Sequence, residues 1–109
     1  MNYNVKSIRV FEKQAKRLIK KYASLKRELY GLLEQLEKNP LSGTPVGKDC
    51  YKIRISIASK GKGKTGGARI ITHFVLKDST VYLLSIYDKS EKETITNKEL
   101  LELLAYLPE

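Results

Sequence analysis

From Cys50 to Ala58 the chain alternates strictly: Tyr51, Ile53, Ile55 and Ile57 fall on one side of an extended backbone, and Lys52, Arg54 and Ser56 on the other. Successive strand side chains point to opposite faces, so this segment predicts a half-buried strand with isoleucines on a core and cations on an open surface. One strand cannot bury such a face alone. Two β-rich runs follow, Arg69 to Leu76 and Val81 to Ile86, joined across Lys77, Asp78, Ser79 and Thr80, which predicts a β-meander. Tyr3 to Arg9 reads as a further short strand, too charged to be buried on both faces and suited to a sheet edge.

The cover for the isoleucine face is legible upstream. Phe11, Ala15, Leu18, Ile19 and Tyr22 recur at helical spacing, with lysines and Arg17 between them. Ser24 stands where a cap would open a second helix, whose stripe is Leu25, Leu29, Leu32, Leu33 and Leu36 before Asn39 and Pro40 stop it. Leu41 to Asp49, with Gly43, Pro45 and Gly47 and no periodicity, reads as a loop. Thr96 and Glu99 match a capping box, after which Leu100, Leu103, Leu104 and Leu107 share one helical face up to Pro108. The sum is an α+β fold, a helical hairpin and a C-terminal helix on an antiparallel sheet of about four strands in two layers.

With 109 residues, 41% of them hydrophobic, the chain has material for one core, so residues 1–109 are expected to form a single domain. The formal net charge of +9 points to a polyanionic or acidic partner. A lone Cys50 and a lone His73 exclude an internal disulfide and the multi-Cys or multi-His metal sites, and no cofactor is expected. The N-terminus lacks a secretory apolar core, and no apolar run approaches the ~20 residues needed to span a bilayer, so a cytoplasmic protein without membrane partners is expected.

The connection Ser59-Lys60-Gly61-Lys62-Gly63-Lys64-Thr65-Gly66-Gly67-Ala68-Arg69 alternates cations with glycine. Such a segment can bring ammonium groups and backbone N–H groups to phosphate together, although the same composition also suits a solvated hairpin loop. Ala58 to Thr65 loosely matches a nucleotide-binding P-loop, AxxxxGKT, but a working P-loop runs from a buried strand into a helix, and here Gly66, Gly67 and a β-branched run follow. Nucleotide binding is therefore not expected.

Lys52 and Arg54 share the open face, Arg69 begins the next strand, and Tyr87 and Lys89 end the last one. Periodicity does not set register, so convergence of these residues depends on the fold. Cations and a phenol without paired carboxylates suit phosphodiester chemistry on RNA, because the 2′-hydroxyl is an internal nucleophile. The protein then supplies alignment, charge stabilisation and proton transfer. Tyr87 is equally suited to strand-end packing, and His73 to a structural place in its strand.

The stretches Tyr51-Lys52-Ile53-Arg54, Ser59 to Gly67, Ala68-Arg69-Ile70-Ile71 and Leu84-Ser85-Ile86-Tyr87-Asp88-Lys89 together resemble toxins of the RelE/ParE superfamily, and the glycine–lysine connection resembles its HigB-like members. The helical hairpin ending Glu37-Lys38-Asn39-Pro40 is similar too. The resemblance implies the toxin of a type II toxin–antitoxin system, a metal-independent endoribonuclease that cuts mRNA on the ribosome. It implies as partners mRNA, the ribosome and a tightly binding cognate antitoxin with a helix-turn-helix region. By position it implies catalytic roles for Lys52, Arg54 and Arg69, with Arg69 on the phosphate, and a further basic site residue at Lys89. The alternating cations of the connection make Lys60, Lys62 and Lys64 the residues expected to contact RNA or the ribosome. The chain departs from the pattern at Ile95, where some RelE enzymes carry a tyrosine. Tyr87 is the candidate replacement, and the general base stays open among Lys52, a lysine of the connection and Tyr87.

Two alternatives belong to other classes. A ParE-like inhibitor of DNA gyrase would have no evident need of Lys52, Arg54 and Arg69 together. A non-catalytic nucleic-acid-binding module would be expected to show an aromatic stacking ladder or a helix-turn-helix, and neither is present. Arg69 is expected to act on phosphate and to contribute little to the core, and Ile55 to belong to the core.

Overall fold

The isoleucine face finds its cover in the helical hairpin. A computed structural model describes residues 2–61 and 66–108. In chain order the elements are β1 (Asn4–Ser7), α1 (Arg9–Lys21), α2 (Leu25–Lys38), β2 (Thr44–Gly47), β3 (Cys50–Ile55), β4 (Ala68–Val75), β5 (Thr80–Asp88) and α3 (Asn97–Leu104), with 3-10 turns at Ala58–Lys60 and Leu76–Asp78. The sheet order is β1-β5-β4-β3-β2. Phe11, Ala15 and Leu18 of α1 and Leu25, Leu32 and Leu36 of α2 are buried with Ile53, Ile70, Val81 and Ile86 of the sheet. No helix among the described residues is long and apolar enough to cross a membrane.

The α+β class and, among the described residues, the three helices on a sheet are as expected, but the described sheet has five strands rather than about four and is mixed rather than antiparallel. The fifth strand is β2, inside the segment read as a loop. It pairs with β3 across a two-residue turn at Lys48 and Asp49, both at positive φ (55° and 58°). That turn suits the twist of a hairpin, but neither residue is the glycine that usually announces it. Pro45 and the irregular register near Gly47 also erase the period-2 signal. The parallel pair is β1 with β5, Val5 opposite Val81 and Ser7 opposite Leu83. Its partners are the first and last strands of the chain, and no turn between them records the pairing.

β1 occupies the edge expected of it but ends at Ser7, while β5 runs on to Asp88. The edge of β5 left open is met by α1. Ile8 N donates to Leu83 O at 3.2 Å, and Ile86 N donates to Gln14 Oε1 at 3.0 Å, so backbone groups that would lie unpaired in a buried strand are satisfied.

Ser24 does open α2, although not by capping it. Its hydroxyl instead accepts from Ser59 N at 2.9 Å, and Glu28 Oε2 accepts from Ala58 N at 2.7 Å. The first turn of α2 thereby grips the entry to the glycine–lysine connection. Gly67 closes the other end, since a Cβ there would sit 2.0 Å from Ile55 O. The capping box of α3 is formed, with Glu99 N donating to Thr96 Oγ1 and Thr96 N to Glu99 Oε1. Tyr106 beyond α3 borders Tyr82 and Lys6, and Leu103 borders Ser85. By the sheet register these lie on the face opposite the hairpin, so α3 occupies the β1–β5 end of the face that carries Lys52 and Arg54.

Candidate functional site

Register decides what periodicity could not. Arg54 of β3 stands opposite Arg69 of β4, and Arg69 opposite Tyr87 of β5, so three expected site residues form one row across adjacent strands. Neighbouring strands lie about 4.8 Å apart, which places the three side chains side by side on one face. Lys52 shares that face in the next row but one, opposite Ile71, which in turn faces Ser85.

The row grades from open to enclosed. Arg54 is exposed, whereas Arg69 is only 4% and Tyr87 only 5% exposed. Burial and then the neighbouring Arg54 charge lower the Arg69 pKa, with Tyr87 opposing them. A phosphate between the two arginines would relieve their mutual repulsion, and a guanidinium can offer it two parallel hydrogen bonds. Arg69 Nη1 also donates to Ala68 O at 3.2 Å. Arg69, expected to contribute little to the core, is nonetheless buried, because its strand lies in the middle of the sheet.

Burial also raises the Tyr87 phenol, Arg69 opposing and Glu99 adding to the shift. It is a protonated donor at neutral pH. Its hydroxyl is buried without a hydrogen-bond partner among the described residues. Such an orphan typically costs about 1–3 kcal/mol, a deficit that an oxygen of a bound ligand would remove.

The remaining expected residues are placed differently. Lys89 follows the strand end, where its backbone N–H donates to Gly67 O at 3.0 Å and its Nζ to Glu93 O at 3.2 Å, so its ammonium is turned to the β5–α3 connection. Lys60 does not join the row. Its Nζ donates to Asp88 Oδ1 at 2.5 Å and to Ser90 Oγ at 3.0 Å and lies 5.6 Å from the Tyr22 ring centroid. Lys62 and Lys64 lie outside the described residues.

Asp88 is the residue that sequence reasoning missed. It is fully buried and accepts from the Tyr22 hydroxyl at 2.5 Å, from Lys60, and from Ser90 N and Oγ at 2.9 and 2.7 Å. Burial alone would raise this carboxyl, but the bonds from Lys60, Tyr22 and Ser90 outweigh it and hold it well below the usual carboxylate range. The signal was present: Asp88 falls in the same inward phase as Leu84 and Ile86, where an acid must find partners.

Cys50 is buried 3.5 Å from His73 Nδ1, and desolvation pushes its thiol up to about 11, which rules it out as a ready thiolate nucleophile. Among the described residues no group of three His, Cys, Asp or Glu could hold a metal ion. A groove of about 570 Å³ between α1, α2 and β1 is lined chiefly by apolar side chains, including Val5, Phe11, Ile19, Leu29 and Leu33, and contains none of the row residues.

The sheet order and the helix placement have a counterpart among known proteins. A family model described as the RelE toxin of the RelE/RelB toxin–antitoxin system matches residues 8–106. The chain belongs to the RelE toxin family. Solved structures of RelE proteins share its fold. Free Escherichia coli RelE, in a form with two arginines replaced by alanine, is 16% identical with a TM-score of 0.60, covering 99% of this chain and 100% of that one. The intact Escherichia coli RelBE toxin–antitoxin complex matches at 18% identity and a TM-score of 0.62, over 79% of this chain and 95% of the other. A RelBE toxin–antitoxin complex from Mycobacterium tuberculosis matches at 15% identity and a TM-score of 0.59, over 81% and 92%. At such identities the likeness is one of architecture: three helices on a mixed five-stranded sheet is the RelE arrangement, and the row Arg54–Arg69–Tyr87 is read from this chain alone.

Proposed function

We propose that this RelE-family chain is the toxin of a type II toxin–antitoxin system in the cytoplasm and that it is a HigB-like, ribosome-dependent mRNA endoribonuclease. The observation that carries this reading is the row of Arg54, Arg69 and Tyr87, two adjacent guanidiniums and a protonated phenol with no hydrogen-bond partner among the described residues, on one sheet face. In the reaction the 2′-oxygen of the RNA attacks the adjacent phosphorus as its proton leaves to a base. The P–O5′ bond breaks, and the 5′-oxygen takes up a proton, leaving a 2′,3′-cyclic phosphate. Arg54 and Arg69 face the charge that develops on the non-bridging oxygens. Tyr87 can supply the proton to the leaving oxygen, because its phenol remains protonated at neutral pH. Lys52, half-buried on the same face, is the candidate to receive the 2′ proton, entering the step as a neutral amine and leaving it as an ammonium, and the proposed reaction calls for no metal ion.

The ribosome enters because the row is a partial machine: among the described residues it offers charge and a proton donor, and alignment of the strand is left to the ribosome. Purified protein should therefore cleave naked RNA poorly and mRNA on programmed ribosomes well. The deciding experiment is a brief induction from a tight promoter with genome-wide mapping of mRNA 5′ ends. Cuts within translated frames support the reading. A DNA-damage response with intact mRNA would replace it by gyrase inhibition, for which the arginine row offers no rationale. The cognate antitoxin is expected to carry acidic or apolar segments and a helix-turn-helix region, since a chain of net charge +9 favours an acidic partner.

A further inference from the structure

The carboxylate of Asp88 sits directly behind the row. Its register partner is Ala68, the neighbour of Arg69, and it lies between Tyr87 and Lys89 in the chain. Three separate parts of the molecule converge on it. Tyr22 brings the end of α1, Lys60 brings the 3-10 turn that enters the glycine–lysine connection, and Ser90 brings the turn after β5. The same turn is closed by Glu91 N and Lys92 N on Asp88 O, each at 3.0 Å. Lys21 Nζ stands at 4.0 Å, and Lys21 with Arg17 also holds Glu91.

A buried charge pair of this kind is a weak source of stability, because taking two ions out of water offsets most of their attraction. It does fix geometry, since a carboxylate with four donors has few alternative arrangements. We propose that Asp88 is a positioning residue for the phosphodiester site. By clamping Lys60 and the Ser90 turn to the end of β5, it sets where Tyr87 and Arg69 stand, and Lys60 acts through this clamp rather than by contact with RNA. This assignment rests on the ribonuclease reading above, and it replaces the role in RNA contact expected for Lys60.

The test compares wild type, Asp88→Asn, Lys60→Met and the double variant, all at temperatures well below melting. In single-turnover cleavage of mRNA on programmed ribosomes, each single variant should lose about 10- to 100-fold in rate, the scale of a small misplacement of reacting groups. The concentration for half-maximal rate should change little, and the double variant should be no slower than the slower single one. Amide exchange supplies a readout independent of activity. The Lys89 and Gly61 amides, bonded to Gly67 O and to Ile57 O and Ala58 O, should exchange at least about 10-fold faster in Asp88→Asn relative to Ile70 and Leu84 in the core. Rate losses that multiply in the double variant, with weakened ribosome binding for Lys60→Met alone, would overturn the proposal in favour of direct RNA contact by Lys60. Acceleration of Lys89 and Gly61 only in step with the core would overturn it in favour of a purely global role. If wild type cleaves no mRNA, the ribonuclease reading fails, and the exchange comparison still decides whether Asp88 clamps this corner.

Discussion

Arg69 and Arg54 face each other across two strands, so each raises the electrostatic cost of the other, and Arg69 has lost most of its water as well. Arg69→Ala is expected to lower mRNA cleavage by about 10²–10³, the usual loss for one preorganised donor to a developing oxyanion. Arg69→Lys should recover only part, because an ammonium cannot reproduce two parallel hydrogen bonds. Single-turnover rates alongside thermal melting check this; a rate loss matched by an equal loss of folded protein would make Arg69 structural. Tyr87→Phe separates function from stability more cleanly. Its hydroxyl has no partner among the described residues, so removal should leave the melting temperature equal or higher while cleavage falls. A lower melting temperature would show that the hydroxyl is bonded in the native protein.

At the scale of elements, the alternation from Cys50 correctly divided β3 into two faces but overextended it. The strand ends at Ile55, and Ile57 is buried beyond it, just ahead of the turn at Ala58. Ile55 is only half-buried because it lies at the strand's end, whereas Ile70 in the central strand β4 is fully enclosed. Ile70→Ala should therefore cost about 2–5 kcal/mol of folding stability. Ile55→Ala should cost distinctly less, and urea unfolding of the two variants would measure the difference. Equal losses would show that the end of β3 is packed as tightly as its neighbour.

For the whole molecule, two consequences follow from charge. Asp88 has a depressed native pKa, so the stability it contributes is fully present above the ordinary carboxylate value of about 4 and is lost as pH falls through the native value. Asp88→Asn should be less stable than wild type at neutral pH, with the gap narrowing as pH drops below about 4; denaturant melts at a series of pH values would follow it. A gap that stays constant down to pH 2 would mean that the ionised form is not favoured by folding. The net charge of +9 should also make association with ribosomes, or with an acidic antitoxin, fast at low salt and slower as salt rises. Stopped-flow association rates at several salt concentrations test this, and a flat dependence would mean that the cations do not steer encounter.

Local periodicity by itself settled which residues share a face: the helical stripes, the isoleucines of β3 opposite Lys52 and Arg54, and the capping box at Thr96 are properties of neighbours in the chain. The resemblance to RelE toxins was likewise carried by short stretches of sequence. The tertiary structure alone decided the rest, because register, parallel pairing and buried ionic contacts join residues far apart in sequence. It set Arg54, Arg69 and Tyr87 in one row, paired β1 with β5, buried Arg69, and turned Lys60 from the row to Asp88. A period of two residues fixes the side of the sheet on which a cation stands. Only packing between strands fixes which cation stands beside which, since slipping one strand by two residues keeps every face and changes every neighbour.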